Sequence, residues 1–141
     1  MVTEICLTVN LAEIDHMGIV HHSHYPLWFE SGRRDFFKKV GIPNSRISAL
    51  GLSLPLSKLK CEFKSPAKYN DQVIVKTSII YMSCVKIKFG YNIIHKKNNK
   101  VIATGETVHA WTNKRIEPIN IEKTAPKIYE LLKQHVMSTA E

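Results

Sequence analysis

No stretch of this 141-residue chain approaches the roughly 18 consecutive apolar residues that a membrane-spanning helix needs. The opening segment, Met1 to Cys6, lacks the basic region and apolar run of a secretory signal. Cysteine is scarce. Cys6, Cys61 and Cys84 are odd in number and fit no zinc or redox spacing. That excludes a disulfide scaffold and points to reduced thiols in the cytoplasm. No linker, internal repeat or low-complexity tract interrupts the chain. One domain over residues 1–141 is expected, long enough to bury its own core. Acids are few as well, 12 against 20 lysines and arginines, for a net charge of +8. The basic residues are spread from Arg33 to Lys133 and form no block. This argues against nucleic acid as the partner and leaves a basic surface or a site for a phosphorylated small molecule.

What is present patterns well. From Glu4 to Leu11, Ile5, Leu7, Val9 and Leu11 alternate with polar residues, as in a half-buried strand. A turn-like segment with Asp15, His16 and Gly18 follows. A helix is predicted from Ser23, a good N-cap, to about Val40, with Pro26 in its first turn, where a missing N–H costs nothing. Tyr25, Trp28, Phe29, Gly32, Phe36 and Val40 share one face at about 3.6-residue spacing, and Gly41 and Pro43 end it. Four more strands are predicted, over Ser53–Phe63, Gln72–Tyr81, Val85–Ile94 and Val101–Trp111. Tyr69-Asn-Asp71 and Lys97-Asn-Asn-Lys100 read as turns. A C-terminal helix spans about Thr124 to His135, its inner face Ile128, Leu131, Leu132 and His135 or Val136. Consecutive strands form an antiparallel sheet, and the long helix must bury its apolar face against it. The class is therefore α+β, a five-stranded sheet wrapped on a helix.

Four histidines, His16, His21, His22 and His24, crowd one segment, yet no Cys or acid stands at ligand spacing with them. No metal is expected. Cys61 and Cys84 sit in apolar strand patterns and read as core residues, not nucleophiles.

The segment Ala12-Glu-Ile-Asp-His-Met-Gly-Ile-Val-His-His-Ser-His-Tyr-Pro-Leu-Trp-Phe-Glu-Ser-Gly-Arg33 is more specific. Asp15, Gly18, His21, His22, Ser23, Tyr25, Trp28, Phe29, Glu30 and Arg33 together resemble the signature of the 4-hydroxybenzoyl-CoA thioesterase family, in its YbgC-like branch. Leu54-Pro-Leu56, Cys61 to Asp71 and Ala103 to His109 are similar to later family strands, so the resemblance runs from about Thr3 to Pro118. It implies the hotdog fold, a homodimer or a homotetramer built as a dimer of dimers, a site at a subunit interface, and hydrolysis of an acyl-CoA thioester without metal or cofactor.

Thioester hydrolysis needs a base or nucleophile and donors for the developing oxyanion. By the resemblance, Asp15 supplies the first, as general base on water or by direct attack. The amide of His22, seven residues on, polarises the carbonyl at the positive helix start with Ser23 beside it, and the His22 side chain orients Asp15 or the water. Tyr25 is a candidate substrate contact. So are the strand-end lysines Lys64, Lys68, Lys86 and Lys88, which could meet the phosphates of coenzyme A. Two positions depart from the family pattern. Leu11 stands where some relatives carry Tyr, and Met82-Ser-Cys84 replaces a basic turn. A non-catalytic acyl-CoA-binding module and an acyl-thioester dehydratase or hydratase are the alternatives.

Overall fold

The computed structural model describes residues 1–137. The elements run β1 (Thr3–Thr8), α1 (Tyr25–Lys39), α2 (Asn44–Ala49), β2 (Leu52–Ser53), β3 (Leu56–Phe63), β4 (Gln72–Met82), β5 (Lys86–His95), β6 (Val101–Ala110), β7 (Thr112–Asn113), α3 (Ile121–Thr124) and α4 (Pro126–Lys133). Short 3-10 turns occupy Leu11–Glu13 and His22–His24. The main sheet is antiparallel with order β1-β4-β5-β6-β3, and β2 pairs with β7. The long helix lies against one face of this sheet, which is the hotdog arrangement.

Alternation decides which face of each strand meets α1. Val73, Val75, Thr77 and Ile79 of β4 are buried, as are Ile87, Phe89, Tyr91 and Ile93 of β5. From α1, Tyr25, Trp28, Phe29, Gly32, Phe36 and Phe37 fill the facing layer. Phe36 and Phe37 meet Phe89 edge-on, and Phe29 stacks on Tyr91 with ring centroids 4.5 Å apart. The opposite face of the sheet is polar, with Lys76 paired to Glu4, Lys60 to Glu62 and Lys88 to Glu106.

Several boundaries differ from the sequence pattern, each for a local reason. The first strand ends at Thr8, because Asn10 turns the chain into the 3-10 turn at Leu11–Glu13. The strand expected over Ser53–Phe63 is two strands in different sheets. Pro55, which has no N–H to give a ladder, separates them. The C-terminal helix is divided by Pro126, whose ring and missing N–H cannot continue a helix but suit the first position of a new one. Its buried face is Ile128, Tyr129 and Leu132, with Leu131 only half-buried. The helix α2, begun after Pro43, was not anticipated. Ser23 is not the N-cap: His24 holds that place for α1, and His21 caps the preceding 3-10 turn, its imidazole accepting from the Ser23 amide.

Candidate active site

The loop between the first strand and the long helix is built around Asp15. Ile14 and Val20 face each other across it, the Asp15 amide donates to the Ile19 carbonyl at 2.9 Å, and Gly18 donates back to the Asp15 carbonyl at 3.1 Å. Gly18 takes φ +81°, which a residue without a side chain adopts freely. The half-buried Asp15 carboxylate closes the loop. Its Oδ1 accepts from the Met17 amide at 2.7 Å and more weakly from Ile19 at 3.5 Å. Its other oxygen has no hydrogen-bond partner among the described residues.

The helix start reaches the same place. The His22–His24 turn runs directly into α1, so the leading amides lie at the positive end of a long helix. The His22 amide makes no hydrogen bond among the described residues, whereas the Ser23 amide and hydroxyl both meet His21 Nδ1, at 3.2 and 2.8 Å. His22, not Ser23, therefore holds the free donor. The loop is fastened to the helix by Glu13. Its carboxylate accepts from the Asn10 amide at 2.8 Å and from Trp28 Nε1 at 2.9 Å, and lies 4.0 Å from His24.

Asp15 and His22 share a groove of about 390 Å³ with Met17, Ile19, Val20, Tyr25, Phe63, Lys64, Ser65 and Pro66. The structure thus brings together Asp15, His22, Tyr25 and Lys64. Burial, then the nearby Cys61, pushes the Tyr25 hydroxyl up to about 12, so it remains a neutral donor near pH 7. Lys64 reaches Glu62 at 2.9 Å. Lys68 stands at the rim, its backbone facing Ile19 across an isolated bridge. Ser23 abuts the groove without lining it. Lys86 begins β5 opposite Ala110, while Phe63 pairs with Ala103 and Ala103 with Ile93, so Lys86 lies at the far end of the sheet within one chain. Lys88 pairs with Glu106 on the outer face at 3.1 Å. His16, His21, His22 and His24 form no metal cluster with acids or cysteines among the described residues.

The groove walls Met17, Ile19, Val20, Ser65 and Pro66, and the brace Glu13, were not anticipated. Only Glu13 had a sequence signal. Asn10-Leu-Ala-Glu13 has the spacing of a capping box, with an acid three residues after the cap.

Residues 9–130 match the thioesterase-like superfamily. An acyl-acyl carrier protein thioesterase of Arabidopsis thaliana is 28% identical over 84% of this chain, and this chain spans 62% of that protein's length. A hypothetical protein from Thermus thermophilus, solved by crystallography, superposes with a TM-score of 0.88 at 30% identity, over 98% of this chain and 100% of that one. A DHNA-CoA thioesterase structure from Staphylococcus aureus superposes with a TM-score of 0.89 at 25% identity, over 94% and 89% of the two chains.

Proposed function

This chain belongs to the thioesterase-like superfamily, and from that premise we propose that it hydrolyses an acyl-CoA thioester to the free acid and CoA, with Asp15 as general base. It is a thioester hydrolase. The observation that carries the mechanism is the shared groove, which holds a carboxylate with one unengaged oxygen and an unpaired amide at a helix start. Asp15 takes a proton from water, and the water oxygen attacks the thioester carbonyl carbon. The His22 amide and the helix dipole hold the oxyanion. Collapse breaks the C–S bond and the thiol leaves with the proton. Asp15 Oδ1 is held by the Met17 amide, which orients the carboxylate and leaves its other oxygen to take the proton. The neutral Tyr25 hydroxyl and the Phe63 ring, which line the same groove, contact the acyl thioester in this reading.

The site is completed by a second copy. β3 pairs with β6 on one side only. Its Leu56, Leu59 and Phe63 share the α1 side of the sheet with His109, Thr107 and Ala103, yet they remain 53%, 42% and 56% exposed. Antiparallel pairing of two β3 edges covers them and sets the Leu56 end of one copy beside the groove of the other. A homodimer, or a tetramer of two such dimers, follows.

The test is thiol release from a panel of acyl-CoAs and acyl carrier protein thioesters. Asp15→Asn is expected to lower kcat by at least about 100-fold while circular dichroism and oligomeric state stay unchanged. Tight acyl-CoA binding with no thiol release would favour a binding module, and formation of an alkene or its hydration product would favour a dehydratase or hydratase.

A further inference from the structure

Two sets of lysines contrast in their partners, although lysines elsewhere, among them Lys58, Lys86 and Lys127, also lack a carboxylate within ion-pair distance among the described residues. On the outer face of the sheet, Lys60, Lys76 and Lys88 each have a carboxylate within 3.6 Å. At the Asp15 end of the molecule, Lys68, Lys96, Lys97 and Lys100 have none within ion-pair distance among the described residues. Three of the four are held close together. The Lys96–Lys100 turn is closed by the His95 amide on the Lys100 carbonyl at 2.9 Å, the Asn99 amide on the His95 carbonyl at 2.9 Å and the Lys100 amide on Asn98 Oδ1 at 3.0 Å. Asn99 takes φ +60°. Crowding like charges on a tight turn without a counterion costs stability, and a bound anion removes that cost.

The turn adjoins the site through one shared segment. Phe63, Lys64, Ser65 and Pro66 line the Asp15 groove. The Ser65 hydroxyl donates to the Val101 carbonyl at 2.6 Å, and the Pro66 carbonyl meets His95 Nε2 at 3.2 Å. Behind that segment opens a second, polar depression of about 800 Å³, lined by Asn70, Asp71, Gln72, His95, Lys96, Lys97 and Asn98. Its one carboxylate, Asp71, is already engaged by the Lys68 amide at 2.8 Å and lies 3.8 Å from His95.

We propose that the Lys96–Lys100 turn, with Lys68, is the docking surface for the phosphate-bearing nucleotide end of the CoA substrate, the pantetheine arm passing over the 64–68 segment into the Asp15 groove. This assignment rests on the acyl-CoA reading above and adds where the substrate's charge is held. The surface is an electrostatic one, so it acts on binding and not on the chemical step.

The experiment compares wild type with the Lys96→Ala/Lys97→Ala/Lys100→Ala variant on one acyl group carried by CoA, by pantetheine and by acyl carrier protein. All three positions are exposed turn residues, so folding is expected to be retained. The expected result is a KM for acyl-CoA raised about tenfold at low salt, as three exposed charge contacts allow. The kcat should be unchanged, KM for acyl-pantetheine unmoved, and the salt dependence of acyl-CoA KM flattened. Equal KM changes for acyl-CoA and acyl-pantetheine, or none, would overturn it. So would a loss confined to the carrier-protein substrate, which would make the turn a protein-docking surface. Calorimetric titration with CoA and with pantetheine separates this from the catalytic reading. If wild type hydrolyses none of the substrates yet binds CoA in a turn-dependent way, the docking surface stands and the hydrolase reading falls.

Discussion

His109 shows how completely a single buried residue can be specified. Its Nδ1 lies 3.0 Å from the Leu54 carbonyl and its Nε2 2.9 Å from Thr107 Oγ1. A carbonyl only accepts, so Nδ1 carries the proton and Nε2 accepts from the Thr107 hydroxyl. Thr107 in turn accepts from Tyr91, 2.6 Å away, and Tyr91 accepts from Arg33 at 3.1 Å. Every hydroxyl in the chain from α1 to Leu54 is thereby oriented. Burial, and next the Arg33 charge, pushes the His109 pKa from 6.5 down to about 4. The unfolded chain therefore takes up the proton first as pH falls. The stability due to neutral His109 is whole above about 6.5, erodes between 6.5 and 4, and has gone below that. Over that window the loss is about 3 kcal/mol. Urea unfolding at stepped pH should show this slope in wild type, and His109→Gln should flatten it. An equal slope in both would assign the pH dependence to other groups.

At the scale of elements, two glycines set how closely α1 approaches the sheet. A Cβ on Gly32 would collide with Thr77 Oγ1 and come within 2.9 Å of Val75 Cγ1. A Cβ on Gly105 would collide with the Phe29 ring and come within 2.8 Å of the Lys60 carbonyl. In an exposed helix, Gly→Ala gains about 1 kcal/mol. Overpacking a core costs typically about 1–3 kcal/mol, so at Gly32 the steric effect wins and Gly32→Ala is expected to be destabilising. Gly105→Ala should cost more, because one of the atoms in its way is backbone and cannot rotate aside. Thermal melts of the two variants test the sign and the order. The same close approach lets Phe29 lie flat on Tyr91, so these variants also disturb the His109 relay from its other end.

In the whole molecule, of the two edge strands of the main sheet, β1 and β3, it is β3 that carries several exposed apolar side chains. An edge strand with free ladder groups and apolar side chains is a template for pairing, and β3 carries Leu56, Leu59 and Phe63 with no cover. Leu59→Glu is expected to shift the protein toward monomer in sedimentation velocity and to lower acyl-CoA turnover at low protein concentration, with activity rising as concentration restores the dimer. A variant that stays dimeric with unchanged activity would place the interface elsewhere. The Phe63 ring belongs to both the exposed edge and the Asp15 groove, which is why assembly and catalysis should be lost together.

Element types and the helix face were legible in the sequence, because periodicity reports burial directly. Alternation in β4 and β5 and the spacing of Tyr25, Trp28, Phe29, Gly32 and Phe36 follow from which side must leave water. Asp15 and His22 were singled out by the resemblance of residues 12–33 to a thioesterase signature, not by periodicity, and the fold sets both in one groove. Tertiary structure decided the remainder. Loop closure joined residues 63–66 to the Asp15 loop, a long-range pairing that no local pattern encodes. It carried Lys86 to the opposite end of the sheet although its residue type matched that of Lys64. It also engaged the Ser23 amide with the His21 ring and left the free amide to His22. Side-chain type determines what chemistry a residue can do, whereas the path of the backbone between distant strands determines which residues do it together.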